Sequence, residues 1–138
     1  LKPGGKMATS VWDVPEKNFW VTATMGTINR NMELPAPPPG APGMFRCAKP
    51  GLMKEIFQKA GFSDIKESAV ASKMNSGTVE SYWNMMTEIG APIVAALSKA
   101  DEATRQRIEK EVKEAVKARY PAEVSIDCSA NVISGKKK

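Results

Sequence analysis

The sequence predicts a single α/β domain over residues 1–138, or an α+β arrangement if the chain is a fragment. Residues 7–11 form a short apolar run, residues 52–60 carry an apolar stripe at helical spacing, and residues 124–132 alternate between apolar and polar. Strands near both ends of a chain with helices between them are typical of a sheet covered by helices.

Length and composition support one globular domain. The chain has 138 residues, 42% of them hydrophobic and 25% charged, which argues against a disordered chain. The longest apolar run, residues 93–97, is far shorter than the roughly 20 residues that cross a bilayer, and no signal-peptide pattern opens the chain. The sequence therefore predicts a cytoplasmic protein with no membrane partner.

The absence of histidine excludes several kinds of chemistry. Histidine triads, histidine-ligated metals and imidazole acid–base catalysis all need a residue type that the chain lacks. Cys47 and Cys128 lie far apart and in no CxxC arrangement, so they predict free thiols rather than a metal or redox site. We therefore assign no catalytic residue and no metal ligand.

The basic charge is concentrated at the C-terminal end. The chain has 20 basic and 15 acidic residues, and three of the bases are the consecutive lysines at 136–138, which we expect to form a flexible tail. The remainder is close to neutral, and no element interleaves aromatic with basic residues. Nucleic-acid binding is therefore not favoured.

The first half of the chain predicts a strand, a helix and a loop. The run Lys6–Trp12 has no charged face, which is typical of a strand covered on both sides, and residues 18–32 fit a helix. The following stretch, residues 34–43, predicts an irregular loop because its prolines remove backbone donors and disfavour helix. These prolines are Pro35, Pro37, Pro38, Pro39 and Pro42. A proline-rich ligand for SH3-type partners is the alternative.

The second half of the chain has clearer sequence signals for the ends of its helices and strands. Gly61 should end the helix over residues 52–60 in a left-handed conformation, with Phe62 folding back on Ile56 or Phe57, before a strand at 65–71. A helix from Thr78 should break at Gly90 and Pro92. An amphipathic helix over 101–120 and a half-buried strand over 124–132, with Cys128, Ala130 and Val132 inward, complete the predicted order.

Two short motifs stand directly before predicted strands. Leu1-Lys2-Pro3-Gly4-Gly5 precedes the first strand, and Lys59-Ala60-Gly61-Phe62 ends the helix before the second. SVWDVPEKN at 10–18, PGMFR at 42–46 and ESYW at 80–83 accompany them. In this order the sequence resembles the C-terminal half of class I S-adenosylmethionine-dependent methyltransferases, of the type that acts on small molecules. In that family an LKPGG turn precedes the fifth strand, and a helix ending in AGF precedes the sixth.

The resemblance implies a three-stranded remnant of a Rossmann-like methyltransferase sheet with flanking helices. In the family order, residues 7–11 lie at one side, the C-terminal strand lies in the middle and residues 65–71 form the far edge. The fourth strand, which pairs with the fifth in the family, is missing from this chain. One apolar edge is therefore expected to be bare and to pair with a second copy or with the missing N-terminal half.

The resemblance also implies what this chain lacks. Family members bind the methyl donor with a glycine-rich loop after the first strand and an acidic residue at the end of the second, both N-terminal to the LKPGG turn. No GxGxG occurs here. S-adenosylmethionine is therefore implied for the intact family member, whereas no cofactor is expected to bind this chain alone.

Two functions follow as hypotheses. The chain is the substrate-side half of a small-molecule methyltransferase, inactive alone, or a non-catalytic module that binds a small molecule or a protein. In the family the end of the fifth strand and the following insert line the methyl-acceptor site. The resemblance therefore implies acceptor contacts at Trp12, Phe19, Trp20, Phe45 and Arg46. Ordinary packing is the alternative for the aromatic residues, and burial of Arg46 would require an anionic partner.

Overall fold

The computed structural model describes residues 1–38 and 40–138, so the Pro39 of the predicted proline-rich loop lies outside the described residues. The strands are β1 (Lys6–Trp12), β2 (Phe62–Gly77) and β3 (Val124–Lys137). The helices are α1 (Phe19–Asn31), α2 (Leu52–Lys59), α3 (Val79–Ile89), α4 (Ala91–Leu97) and α5 (Glu102–Arg119), and a short 3₁₀ turn spans Pro15–Lys17. The predicted order of strands and helices is confirmed, and β2 and β3 are both longer than predicted.

The three strands form one antiparallel sheet in the order β1-β3-β2. Strand β1 pairs with β3 in a register that sets Lys6 opposite Lys136 and Trp12 opposite Ala130. The last strand therefore lies between the first two, which is the strand order expected from the sequence. Helices α1 and α2 intervene between β1 and β2, and helices α3 to α5 intervene between β2 and β3.

The chain divides into two compact units. The first comprises residues 1–18, 38–72 and 128–138, and the second comprises residues 19–37 and 73–127. The first unit holds β1, α2 and most of the sheet, whereas the second holds the other four helices. The expectation of a single domain stays a prediction.

The expectation that β1 is covered on both sides is wrong. No residue of β1 is buried, and Met7 keeps 41% of its surface exposed. The physical reason is the position of the strand, because β1 lies at an edge of the sheet and pairs only with β3 among the described strands. A short apolar run indicates a strand but does not distinguish an interior strand from an edge strand.

Helix α2 covers one face of the sheet in the first unit. Its Met53 and Phe57 pack with Ile133 of β3, and Val11, Cys47, Phe62 and Ile65 surround this cluster. Gly61 has a φ of 76°, the left-handed conformation that favours glycine after a helix. The Phe57 and Phe62 rings lie 5.0 Å apart between centroids, which confirms the predicted fold-back of Phe62 onto the helix.

Gly135 of β3 allows this close packing, because a β-carbon there would lie 3.1 Å from Phe57 Cδ1 and 3.2 Å from Phe62 Cβ. Gly135→Ala is expected to lower the free energy of unfolding by about 1–2 kcal/mol, since overpacking a core displaces its side chains. Chemical denaturation measures the difference. Gly43→Ala is the matched control, because a β-carbon at Gly43 meets no atom within 4 Å. Equal stabilities for the two variants would contradict the packing account.

Strand β3 differs from the prediction in two respects. Val124 and Ile126 are buried as expected, but farther along the strand Ser129 and Ile133 are buried, whereas the predicted inward residues Cys128, Ala130 and Val132 are half-buried. The buried positions thus change from even to odd numbers. The predicted flexible lysine tail is also wrong for Lys136 and Lys137. Both lie in β3, and Lys137 Nζ donates a hydrogen bond to the Ala60 carbonyl over 2.6 Å.

The second unit is built from four helices. Helix α1 packs against α4 and α5, and α3 packs against α4 and α5. Tyr82, Trp83 and Met86 of α3 are buried, which confirms that this stripe is a core face. Thr78 and Asp101 cap α3 and α5 by accepting the backbone N–H groups of Ser81 and Thr104. The predicted break at Gly90 is confirmed, since α3 ends at Ile89 and α4 begins at Ala91.

The proline-rich stretch forms no helix or strand in its described residues, as predicted. Within the described part of the chain, we find no helix with both the length and the apolarity needed to cross a membrane.

Candidate functional site

A cleft of about 390 Å³ lies at the C-terminal end of β1 in the first unit. Its lining comes from β1, from β3 and from the loop that leads into α2: Ser10, Val11, Trp12, Ala130, Gly43, Met44 and Cys47. Ala130 of β3 lies opposite Trp12 of β1, so the cleft spans the paired ends of both strands. Its volume lies within the range of small-molecule sites.

Two tight turns shape the loop wall of the cleft. The Arg46 backbone N–H donates to the Gly43 carbonyl over 3.1 Å, and the Ala48 N–H donates to the Phe45 carbonyl over 3.0 Å. Ala48 is buried, and Cys47 packs against the cluster between α2 and the sheet. The loop is therefore anchored to the core, which fixes Met44 and Cys47 on the cleft wall.

The end of β1 is held by a buried carboxylate. Asp13, only 4% exposed, directly follows Trp12. Its Oδ2 accepts hydrogen bonds from Lys17 Nζ and from Ser129 Oγ, each over 2.9 Å, and its Oδ1 accepts the Val14 N–H over 2.8 Å. The Asp13 N–H in turn donates to the Ser129 carbonyl over 3.0 Å. These bonds fasten the backbone that carries Trp12 to β3.

Asn18 completes this polar cluster. It is fully buried, and its amide Nδ2 lies 3.1 Å from three carbonyl oxygens, those of Asp13, Val14 and Ser129. Its Oδ1 accepts the Ser129 N–H over 3.1 Å. The Ser129 carbonyl also accepts the Asp13 N–H, and the Val14 carbonyl also accepts the Lys17 N–H, so the Asn18 amide reinforces a turn that a backbone hydrogen bond already ties to β3.

The electrostatics of Asp13 indicate a structural role. The hydrogen bond from Lys17 is the largest influence, and with the bonds from Val14 and Ser129 it outweighs desolvation and lowers the pKa of Asp13 to about 2. A carboxylate with that pKa stays ionised at neutral pH, so it is poorly suited to general acid or base catalysis. Among the described residues, no group of three or more cysteine, aspartate or glutamate side chains could hold a metal ion.

The structure places three of the predicted acceptor-binding residues in the first unit. Trp12 is half-buried and lines the cleft. Phe45, also half-buried, and Arg46, which is exposed, follow Met44 in the loop but are not among the lining residues. Of these three predicted residues, Trp12 thus lines the cleft.

Phe19 and Trp20 belong to the second unit, at the start of α1. The Phe19 ring lies 6.0 Å from the Tyr120 ring, and the Arg119 guanidinium carbon lies 4.5 Å from the Phe19 centroid. The Trp20 carbonyl accepts the Tyr82 hydroxyl over 2.7 Å. The Phe19 ring thus packs within its unit, and acceptor binding by Phe19 and Trp20 stays a prediction.

Sequence reasoning did not predict that Met44 and Cys47 line a cleft, or that Asn18 and Ser129 belong to a buried polar cluster. A signal for Met44 was present, because the Pro-Gly pair before it predicts a turn. Cys47 had only the general tendency of free cysteines to be buried. Asn18 and Ser129 carry no local signal, because their partners are 111 residues apart along the chain.

Comparisons with known proteins give little direct guidance. No protein-family model matches the chain, and no curated protein matches it. Among solved structures, the chain is similar to phosphoethanolamine N-methyltransferase 2 of Haemonchus contortus, in complex with phosphomonomethylethanolamine and S-adenosylhomocysteine. The identity is 18%, the TM-score is 0.33, and the match covers 99% of this chain but 27% of that protein.

Proposed function

We propose that this chain is the substrate-side half of a small-molecule S-adenosylmethionine-dependent methyltransferase. The observation that carries the proposal is the strand order β1-β3-β2, in which the last strand runs antiparallel between the first two. This arrangement follows the order of the fifth, seventh and sixth strands in the family that the LKPGG and AGF motifs resemble. The two motifs and the strand order therefore support the same proposal.

The cleft supports the substrate-side assignment. It lies at the end of β1, where Trp12 lines it and where the family places its acceptor site. Val11, Met44 and Ala130 add an apolar surface, and the exposed Arg46 in the adjacent loop is available to an anionic group of the acceptor. Binding and orientation of the acceptor are therefore the roles proposed for this chain, with the donor held by the N-terminal half.

A non-catalytic binding or interaction module is the second candidate. The edge of β1 favours it, because β1 has no second neighbour among the described strands and Met7 is largely exposed. An unpaired edge with apolar side chains pairs readily with another strand. Both a second copy of this chain and the missing half would fit this edge.

Calorimetric titration with S-adenosylmethionine tests the proposed division of labour between this chain and a donor-binding half. We expect no saturable heat with the chain alone, because the donor-binding loop and acidic residue of the family are not in it. A gene product that also contains the donor half should bind S-adenosylmethionine under the same conditions. Saturable micromolar binding to the chain alone would contradict the proposed division of labour.

The acceptor site is tested in that intact enzyme. Trp12→Ala and Arg46→Ala are each expected to lower kcat/KM for the methyl acceptor by about tenfold or more while donor affinity is unchanged, since only acceptor contacts are removed. Steady-state kinetics and donor titration give the two readouts. Arg105→Ala, which removes an exposed arginine of α5, is the matched control for Arg46. Unfolding of both variants without a selective loss of acceptor turnover would show that the two residues are structural.

A further inference from the structure

A second concave surface lies at the opposite end of β1 from the cleft. We call it the lysine groove, and it is lined by Lys6, Asp64, Ile65, Lys66, Ser134, Gly135 and Lys136, all in the first unit. Its volume is about 510 Å³. Lys6 and Trp12 are the first and last of the 7 residues of this strand, so about 20 Å separates them. The lysine groove is therefore distinct from the proposed acceptor site.

The pairing of the three strands brings the lysines of this groove close together. Lys6 lies directly opposite Lys136 in the β1–β3 pair, so both side chains leave the sheet on the same face. Lys66 of β2 lines the groove from the other side of β3. Three lysines from three strands thus line one concave surface, although like charges directly opposite each other destabilise a strand pair.

The charge of the groove is not neutralised within the described chain. Ion pairs among the described residues join Lys17 to Asp13, Lys73 to Asp127 and Lys113 to Glu109, and none involves a lysine of the groove. Asp64 is the single carboxylate on the groove lining. The lining therefore has an excess of positive charge, and it adds the hydroxyl of Ser134 as a hydrogen-bond donor.

We propose that the lysine groove binds a small polyanion that carries phosphate groups. Ammonium groups on flexible stems act as point charges toward phosphate oxygens, and a concave surface of one charge sign concentrates counter-ions. The volume suits a molecule with two or three phosphate groups. Bound phosphate would also relieve the repulsion between Lys6 and Lys136.

Tripolyphosphate is the probe, titrated calorimetrically into the 138-residue chain at low ionic strength. We expect saturable binding that weakens as salt is added, because screening reduces the attraction between exposed charges. The triple variant Lys6→Gln, Lys66→Gln, Lys136→Gln should bind at least about tenfold more weakly, which corresponds to the loss of three charge contacts. The matched control Lys54→Gln, Lys99→Gln, Lys110→Gln removes the same charge from exposed lysines outside the groove and should bind within about twofold of the parent.

Equal losses in the two triple variants would overturn the proposal, since net charge alone would then explain binding. The single variant Lys6→Glu shows whether weaker binding could result from unfolding. It replaces a like-charge pair by an opposite-charge pair, so its Tm should be equal to or above that of the parent, whereas its tripolyphosphate binding should be weaker. Tighter binding of a single-stranded oligonucleotide than of tripolyphosphate would instead identify a nucleic-acid surface and overturn the proposal. None of these measurements requires methyl transfer, so their failure is distinguishable from failure of the proposed function.

Discussion

Replacing Asn18 with alanine is expected to lower the free energy of unfolding by about 3 kcal/mol. The side chain is fully buried, its Nδ2 lies within hydrogen-bond distance of three carbonyl oxygens, and its Oδ1 accepts one backbone N–H. Alanine leaves part of this volume empty and makes none of these hydrogen bonds. Each buried polar group that loses its partner carries a desolvation penalty of about 1–3 kcal/mol. Equilibrium denaturation measures the loss.

Asn75→Ala is the matched control for Asn18→Ala. Asn75 also makes side-chain hydrogen bonds, to Glu123 and to the Gly77 N–H, but it is exposed and water can replace both partners. A change within about 0.5 kcal/mol is expected for this variant. Comparable losses at Asn75 and Asn18 would contradict a special role for the buried amide.

Removal of the Tyr82 hydroxyl is the second large effect that we expect. Tyr82 is fully buried in the second unit, donates to the Trp20 carbonyl over 2.7 Å, and accepts from Thr24 Oγ1 over 2.8 Å. Tyr82→Phe keeps the ring but leaves the Thr24 hydroxyl and the Trp20 carbonyl without this partner. The free energy of unfolding should fall by about 1–3 kcal/mol, as measured by denaturation at neutral pH.

The pH dependence of stability provides an independent readout for Tyr82. Burial raises the pKa of Tyr82 to about 12 from the usual tyrosine value of 10.0, and the hydrogen bond with Thr24 only partly opposes this shift. Above about pH 10 the unfolded chain releases the phenolic proton more readily than the folded chain does. Stability from this group is therefore complete below pH 10 and is lost as the pH rises from about 10 to 12. Tyr82→Phe should show a shallower alkaline loss than the parent.

Tyr120→Phe serves as the control, because the Tyr120 hydroxyl makes only longer bonds, of 3.3 and 3.4 Å, to Asp127. Its removal is expected to change stability by less than about 0.5 kcal/mol. If Tyr82→Phe is as stable as Tyr120→Phe, the hydroxyl of Tyr82 contributes nothing beyond what water provides to an unfolded chain.

The parts of the fold that the sequence predicts are those determined by neighbouring residues in the chain. Gly61, Gly90 and Asp101 act on their own backbone or on the next turn, so the ends and breaks of the helices follow from neighbouring residues. The exposure of β1 depends instead on which strands pair with it, and the run 7–11 contains no such information. The change of the buried face along β3 also depends on tertiary contacts. Alternation of polarity does not specify which core each half of the strand contacts.

The candidate site also has one part that the sequence predicts and one part that depends on tertiary contacts. Trp12 could be predicted because it ends a strand in a recognisable motif, and the cleft does include it. The opposing wall could not be predicted, because Met44 and Cys47 reach the cleft only through turns in a loop without periodicity. The pairing of Lys6 with Lys136 is equally invisible in the sequence, since it depends on the β1–β3 register.

The central place of β3 has a consequence for the order of folding. Strand β1 precedes β2 and β3 in the chain, but its pairing partner β3 is the last of the three strands. Helices α1 to α5 must therefore be synthesised before β1 can pair with β3, and this loop closure must be completed before its contacts stabilise the fold. During that interval the run 7–11 lacks its β3 partner and is exposed to pairing with strands of other chains.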